Sequence, residues 1–227
     1  MDTIKFIRLP SGELSCESPE LLPEQVVATI GVFDGVHGGH RFLIEQLKHE
    51  AQRLRLPSAV ITFDTPPVMV VRPDHPFEKL NSNTEREQLL AKTGVDFLFL
   101  LPFDWALAAL SAEEFFRHII TRQLHVHTLL MGYDHHFGRP PKAGDPPTDY
   151  KSLGEKWGGA VENRGLFAPN RRYSAGFFRH AASLRRGFPA HDVHFPGDGG
   201  ASARSPLLWR RPPPAPRRSP DRRPPSR

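Results

Sequence analysis

The first 163 residues alternate between short apolar runs and longer segments whose apolar residues recur three or four positions apart. Continuous apolar runs of about four to eight residues predict buried strands, whereas the wider spacing predicts amphipathic helices. We predict strands at residues 26–30, 58–63, 96–101 and 127–131, with a weaker strand at 160–161.

Helices are predicted between these strands. Asn83 and Thr84 are predicted to cap one that continues towards Gly94, and Ser111 with Glu114 predicts a capping box for the next. A short helix is expected around residues 150–157. One face of the first helix carries the apolar residues Phe42, Leu43, Leu47, Ala51 and Leu54, and this helix ends at Leu56–Pro57.

Short strands that alternate with helices of about 10–15 residues predict βαβ units, a parallel sheet and therefore an α/β fold. In such sheets the ligand binds at the carboxyl ends of the strands, where the winding reverses. Three predicted strand ends carry unusual residues, at positions 31–40, 62–67 and 132–138. We expect these three segments to meet in space and to form one site.

The segment with the clearest chemical signature is 31–40, GVFDGVHGGH, which directly follows the first of these strands. Gly31 and Gly35 permit a tight turn off the strand. Gly38 and Gly39 carry no side chain where a helix begins, so backbone amides there can approach a phosphate. The segment has neither the Gly-Lys-Ser/Thr of a P-loop nor the three spaced glycines of a dinucleotide-binding loop.

His37 and His40 lie three positions apart and are expected on one face of that first helical turn. Two imidazoles placed there can donate hydrogen bonds to a polyphosphate and stabilise the charge that develops when pyrophosphate leaves. Two ordinary surface histidines are the structural alternative. A metal site is a further alternative, but it needs more ligands than Asp34, the one candidate nearby.

The quoted segment resembles the H-x-G-H signature of the nucleotidyltransferase superfamily related to class I aminoacyl-tRNA synthetases. Together with Thr62-Phe63-Asp64 and the segment 132–138, GYDHHFG, it resembles the adenylyltransferase (FAD synthetase) domain of prokaryotic bifunctional riboflavin kinase/FMN adenylyltransferase. The resemblance covers about residues 25–162, and the three motifs occur in the order and spacing of that family.

This resemblance implies a Rossmann-like domain that transfers AMP from ATP to FMN and releases FAD and pyrophosphate, with Mg²⁺ as the companion of ATP. It implies His37 and His40 as the catalytic contacts to the ATP phosphates. We find no dedicated set of metal ligands in the sequence. The implied ATP-binding residues are Gly31, Phe33, Asp34, Gly35, Gly38 and Gly39. The implied flavin-side residues are Phe63, Asp64, Asp134 and Phe137.

The chain departs from the family pattern at several positions. Pro66 stands where the second motif usually has a histidine, and His136 precedes the Phe-Gly of the third motif. Pro140–Pro141 occupies the region where an arginine commonly follows that motif. Neither the family's Ser-Ser/Thr-x-x-Arg segment, which clamps the triphosphate, nor a riboflavin kinase domain is recognisable in the sequence; the segment 176–180 stands where the clamp is expected.

Charge divides the chain near residue 163. The first 163 residues hold 16 basic and 22 acidic side chains, whereas residues 164–227 hold 14 arginines, no lysine and 3 aspartates. The second part also contains 11 of the 24 prolines. An arginine- and proline-rich sequence without lysine is expected from GC-rich DNA translated in a shifted frame, and it favours disorder.

We therefore predict an FMN adenylyltransferase domain at 1–163 and a disordered or non-native tail at 164–227. Three alternatives remain: an inactive truncated remnant that at most binds nucleotide, an adenylyltransferase for another phosphorylated acceptor, and a nucleic-acid-binding protein that uses the arginines. Nucleic acid is not the expected partner, because the basic charge belongs to the tail alone. Oligomeric state is left open.

Cysteine content and hydropathy bear on location. Cys16 is the sole cysteine, so neither an intramolecular disulfide nor a cysteine-based zinc site can form. No apolar stretch has the length of a signal peptide core or a membrane span. We expect a cytoplasmic protein with ATP and FMN as its small-molecule partners and no membrane partner.

Overall fold

A seven-stranded sheet forms the centre of the computed structural model, which describes residues 1–74, 76–132, 135–141 and 146–163. Its strand order is β2-β1-β5-β4-β3-β6-β7. All neighbouring strands run parallel except β1 and β2. The strands are β1 (Asp2–Arg8), β2 (Leu14–Cys16), β3 (Val26–Ile30), β4 (Ser58–Phe63), β5 (Phe97–Leu101), β6 (Val126–Met131) and β7 (Ala160–Asn163).

The predicted strands are confirmed, with small shifts at their ends. β3 and β4 have the predicted bounds, β5 starts one residue later than expected and β6 one residue earlier. β1 and β2 were not predicted. β1 pairs with the edge of β5 and buries Ile4 and Phe6, while Lys5 and Ile7 between and after them are exposed. This alternation is typical of a strand with one solvated face.

Six α-helices lie in the described part of the chain, together with two short 3₁₀ turns at Pro19–Leu21 and Asp34–Val36. The helix α5 continues directly into a π-helical segment, Phe115–Gln123. The helices are α1 (Gly38–Leu54), α2 (Pro67–Val71), α3 (Asn83–Ala91), α4 (Trp105–Ala109), α5 (Ala112–Glu114) and α6 (Tyr150–Lys156).

The N-termini of α3 and α5 can be compared with the predicted helix caps. The capping box of Ser111 and Glu114 is present at the start of α5. The predicted cap of α3 at Asn83 and Thr84 is wrong: the N-cap is Ser82, which forms a capping box with Glu85. Both sites contain a Ser followed three residues later by a Glu. Asn83 is thereby freed to bond elsewhere, as described below.

The direction of each crossover decides which face of the sheet a helix covers. The connections β3–α1–β4 and β4–α3–β5 proceed one way across the sheet, and the connection from β5 to β6 returns the other way. Because such crossovers are right-handed, α1 and α3 lie on one face and the π-helical segment on the other. The core cluster beneath α1 and α3 comprises Val27, Phe33, Val36, Leu43, Ile44, Leu47, Ala51, Val60, Leu90, Val95, Leu98 and Leu130.

The predicted α/β class with a parallel sheet is therefore confirmed. The predicted tail at 164–227, including the segment 176–180, lies outside the described residues. None of the helices in the described part combines the length and the apolarity needed to cross a membrane.

Candidate active site

The candidate site lies where the strand order reverses. After β3 the chain adds β4 and β5 on one side, and it then adds β6 and β7 on the other. The ends of β4, β3 and β6 are therefore neighbours at one edge of the sheet, and the predicted convergence of the three motif segments is confirmed. A crevice at such a reversal is the usual ligand site of an open parallel sheet.

The turn after β3 is shaped by residues with positive φ. Phe33 has φ +53°, Gly35 +75° and Val36 +37°. Phe33 is 1% exposed, and a Cβ added to Gly31 would lie 3.0 Å from its ring. A side chain at Gly31 would therefore press against the ring of Phe33, which folds back under the turn.

Asp34 connects this turn to the segment that precedes α3. Its Oδ2 accepts a hydrogen bond from the amide of Leu80 at 3.0 Å, and its Oδ1 accepts one from the amide of Asn81 at 3.2 Å. Both carboxylate oxygens thus hold backbone amides. Asp34 fixes the turn, and its predicted contact with the nucleotide stays a prediction.

His37 and His40 form a stacked pair at the start of α1. Their ring centroids lie 3.7 Å apart with planes inclined by 18°, and Phe33 lies 4.9 Å from the His40 ring. His37 is the N-cap residue, and its Nδ1 accepts a hydrogen bond from the His40 amide at 3.4 Å. Because Nδ1 is the acceptor, the neutral His37 ring carries its proton on Nε2, which can donate to a ligand.

Both histidines are neutral in the ligand-free protein at pH 7. Burial lowers the pKa of His37. Burial, with smaller contributions from His37 and His135, lowers the pKa of His40 to about 3. Neutral imidazoles can donate hydrogen bonds but carry no charge, so the expectation that they neutralise phosphate charge requires an anion that raises these pKa values on binding.

The two glycines between the histidines have different surroundings. A Cβ added at Gly38 would meet nothing within 4 Å, so the space over this first turn is open. A Cβ added at Gly39 would lie 3.3 Å from the His37 ring. Gly39 lets that ring lie over the helix start, where the amides of the first turn have no acceptor within the helix.

The carboxyl end of β4 contributes Phe63 and Asp64. The ring of Phe63 packs edge to face on Phe103 with centroids 5.1 Å apart. Asp64 accepts a hydrogen bond from the Phe103 amide at Oδ1, 3.2 Å away, and its backbone carbonyl accepts one from Asn83 Nδ2 at 2.9 Å. The structure therefore brings this segment next to the β3 turn, while its flavin-side role stays a prediction.

Phe137 occupies a different environment from Phe63. It is buried against Phe115 and Phe116, with centroids 5.3 and 6.4 Å away, and the Tyr150 hydroxyl bonds its amide and carbonyl at 3.1 and 3.0 Å. These contacts give Phe137 a packing role under the loop after β6. Asp134, the other flavin-side candidate of this loop, lies outside the described residues.

Two residues near the site were not predicted from the sequence. Arg86 of α3 is 4% exposed, and its guanidinium bonds the carbonyls of Val32 and Phe63. His135 follows β6, and its Nε2 is buried without a hydrogen-bond partner in the described residues, as is Nδ1 of His40. Burial, and secondly His136, lowers the pKa of His135 to about 4. The sequence did contain a signal for His135, which is the pair His135-His136 inside a Gly-rich segment. It contained no comparable signal for Arg86.

Comparison with known proteins identifies the family of this fold. The sequence profile of the family described as FAD synthetase matches residues 20–171. The chain belongs to the FAD synthetase family. The matched region contains the His37–His40 loop and the ends of β4 and β6, and it extends a few residues beyond the predicted domain boundary at residue 163.

Curated relatives of this FAD synthetase family member carry the name bifunctional riboflavin kinase/FMN adenylyltransferase. The Escherichia coli K12 protein is 37% identical over 115 residues, which are 51% of this chain and 37% of that protein. The Pseudomonas fluorescens protein is 38% identical over 112 residues, 49% of this chain and 36% of that protein. The chain thus matches little more than a third of the length of either relative.

A solved structure supports the fold independently. The crystal structure described as a macrolide-efflux protein from Streptococcus pneumoniae superposes with a TM-score of 0.56 at 29% identity. The superposition covers 72% of this chain and 51% of that chain.

Proposed function

We propose that this FAD synthetase domain is an FMN adenylyltransferase, which transfers AMP from ATP to FMN. The observation that carries the proposal is the stacked His37–His40 pair at the sheet's reversal point, in a chain of this family. The matched relatives are named for the same reaction. Riboflavin biosynthesis is the corresponding pathway, and a cytoplasmic location suits a protein that uses ATP.

In the proposed reaction a phosphate oxygen of FMN attacks the α-phosphorus of ATP. The bond between that phosphorus and the bridging oxygen of the β-phosphate breaks, so FAD forms and pyrophosphate leaves. Such a displacement gains rate from positioning and from donors directed at the developing charge. Nε2 of His37 and the open amides around Gly38 are placed to act as those donors, with His40 stacked behind His37.

The remaining predicted contacts complete the proposal. Gly31, Phe33, Asp34, Gly35 and Gly39 are proposed to shape the ATP side of the site. The flavin side is proposed to include Phe63 and Asp64 at the end of β4, together with Asp134 and Phe137 after β6. Support for the β4 assignment comes from its position beside the phosphate loop, since β3 and β4 are paired in parallel.

Magnesium is proposed to enter as part of the substrate, MgATP. Among the described residues, no group of three or more His, Cys, Asp or Glu side chains could hold a metal ion. Asp34 and Asp64 both use carboxylate oxygens to accept backbone hydrogen bonds. The ion would neutralise phosphate charge, with the phosphates supplying part of its coordination.

We also propose that residues 164–227 contain non-native sequence, and that the chain consequently lacks the arginine clamp of its family. Their composition supports this proposal, although the family match continues to residue 171. Two other functions follow from different outcomes: an inactive remnant that binds nucleotide, and an adenylyltransferase for another phosphorylated acceptor.

The test is a comparison of acceptors. The full chain, and a chain with the frame restored after about residue 163, are incubated with MgATP and FMN, phosphopantetheine or nicotinate mononucleotide. Adenylylated products are separated by chromatography. We expect FAD to be the only adenylylated product, and we expect the chain with the restored frame to form it. Product from another acceptor, or no product from a folded restored chain, contradicts the proposed function.

A further inference from the structure

We propose that Arg86 is a positioning residue for the adenylyl-transfer site, joining the nucleotide-side turn after β3 to the flavin-side segment after β4. The proposal rests on the proposed function, because it assigns those two segments to the two substrates. No motif in the sequence indicates such a role.

The guanidinium of Arg86 bridges the two strand ends. Nη1 donates to the carbonyl of Val32 at 3.2 Å, and Nη2 donates to the carbonyl of Phe63 at 2.6 Å. Val32 and Phe63 immediately precede Phe33 and Asp64, which are candidate substrate contacts. A displacement of this one side chain therefore affects both segments at the same time.

Asn83 and Thr62 extend the hydrogen bonds of Arg86 into a network that joins the two strand ends. Asn83 accepts a hydrogen bond from Nη2 at 3.4 Å and donates to the carbonyl of Asp64 at 2.9 Å. The hydroxyl of Thr62 donates to the same Val32 carbonyl at 3.1 Å. One turn of α3 thus supports two loops that are also linked by this Thr62–Val32 hydrogen bond and by the pairing of β3 and β4.

The charge of Arg86 is also unusual for a buried side chain. It is 4% exposed, its Nε has no hydrogen-bond partner, and it forms no ion pair within the ranges that the structure describes. Buried charges without a partner are costly, so they are retained where the charge has a use. Burial lowers the pKa of Arg86, and the nearby carboxylates Asp34, Glu87 and Asp64 oppose this effect. An anionic substrate at this edge of the sheet would complete the charge balance.

The first experiment needs no substrate. Hydrogen–deuterium exchange is compared between the full chain and its Arg86→Gln, Arg86→Lys and Lys92→Gln variants. Lys92→Gln is the matched control, because it removes the same charge from the exposed end of the same helix. We expect about tenfold faster exchange in both peptides 31–35 and 62–65 for Arg86→Gln, since a lost hydrogen bond opens both loops.

Arg86→Lys should exchange at an intermediate rate, because an ammonium group keeps the charge and can donate hydrogen bonds but lacks the planar fork that bonds both carbonyls. Asn83→Ala provides a second comparison if Arg86→Gln does not fold. It should loosen residues 62–65 alone, since Asn83 bonds Asp64 and has no bond to the turn after β3. Unchanged exchange in Arg86→Gln, or equal loosening of both loops by Asn83→Ala, overturns the proposal.

The second experiment measures the dissociation constant of MgATP by calorimetry in the same variants. Arg86→Gln should weaken MgATP binding by about tenfold, and Arg86→Lys should restore part of that affinity, because it keeps the charge but not the fork. If the unaltered chain binds no MgATP, the proposed function fails, while the exchange data still decide whether Arg86 braces both loops. If the unaltered chain and Arg86→Gln bind MgATP equally, the positioning role is wrong.

Discussion

Replacing Gly138 by alanine should destabilise the fold far more than the same change at Gly158. Both glycines have left-handed backbone, with φ +78° and +76°. A Cβ at Gly138 would lie 2.3 Å from the amide nitrogen and 2.5 Å from the Cα of Ala112, whereas a Cβ at Gly158 would meet nothing within 4 Å. The two substitutions therefore share backbone strain and differ in the steric clash.

The magnitudes follow from these two terms. Left-handed backbone costs an alanine about 1–2 kcal/mol, and the loss of chain entropy in the unfolded state returns about 0.4–1 kcal/mol. Gly158→Ala should therefore lose about 1 kcal/mol. Gly138→Ala adds an overpacking cost of about 1–3 kcal/mol or more, because its neighbours are backbone atoms that cannot rotate away.

Thermal unfolding followed by circular dichroism measures the difference. With about 2–4 °C per kcal/mol for a domain of this size, Gly138→Ala should melt at least about 2 °C below Gly158→Ala. The loop after β6 must rest on the start of α5 for this reasoning to hold, as the hydrogen bond from the Arg139 amide to Leu110, 2.7 Å long, indicates. Equal melting temperatures for the two variants would refute it.

Three further outcomes are expected. The free energy of unfolding should fall as the pH is lowered from about 6.5 to 5, because the pKa values of His40 and His135 are lowered to about 3 and about 4 in the folded state and the unfolded chain therefore binds more protons. The double variant His40→Asn/His135→Asn should show a weaker pH dependence in denaturant titrations. An unchanged pH dependence in that variant contradicts this explanation. Ser111→Ala should cost about 1 kcal/mol in the same titrations by removing the N-cap of α5, and an unaltered stability would show that this cap is dispensable. The chain as it stands should form FAD slowly or not at all, because a missing arginine that stabilises phosphoryl-transfer charge can lower the rate by about 10³–10⁵; rapid FAD formation by chromatographic assay, without frame repair, contradicts the loss of the clamp.

The sequence predicted those parts of the fold that local patterns determine. β3 and β4 are continuous apolar runs that end in glycine or polar residues, so their bounds matched the structure. β1 was missed because its signal is a short alternation around Ile4 and Phe6, which gains its meaning from pairing with β5, far along the chain. Ser111 was identified as a cap because the whole motif lies within four residues.

The site could be predicted only as far as its motifs are contiguous. His37 and His40 are three residues apart, and their proximity follows from helical geometry. Arg86 stands between two glutamates in a polar helix, and the local sequence does not reveal that this face of α3 meets the ends of β3 and β4. The bonds from Asp34 to the amides of Leu80 and Asn81 depend in the same way on tertiary structure.

Binding of the triphosphate by the stacked pair His37 and His40 can be measured directly. Thermal shifts with increasing MgATP are measured for the full chain, for His37→Ala/His40→Ala and for His49→Ala, an exposed histidine further along α1. A ligand that binds the folded state raises its stability by RT ln(1 + [L]/Kd). We expect the melting temperature of the full chain and of His49→Ala to rise with MgATP, and that of the folded double variant to stay constant. A shift in the double variant equal to that of the full chain would contradict phosphate binding by these histidines.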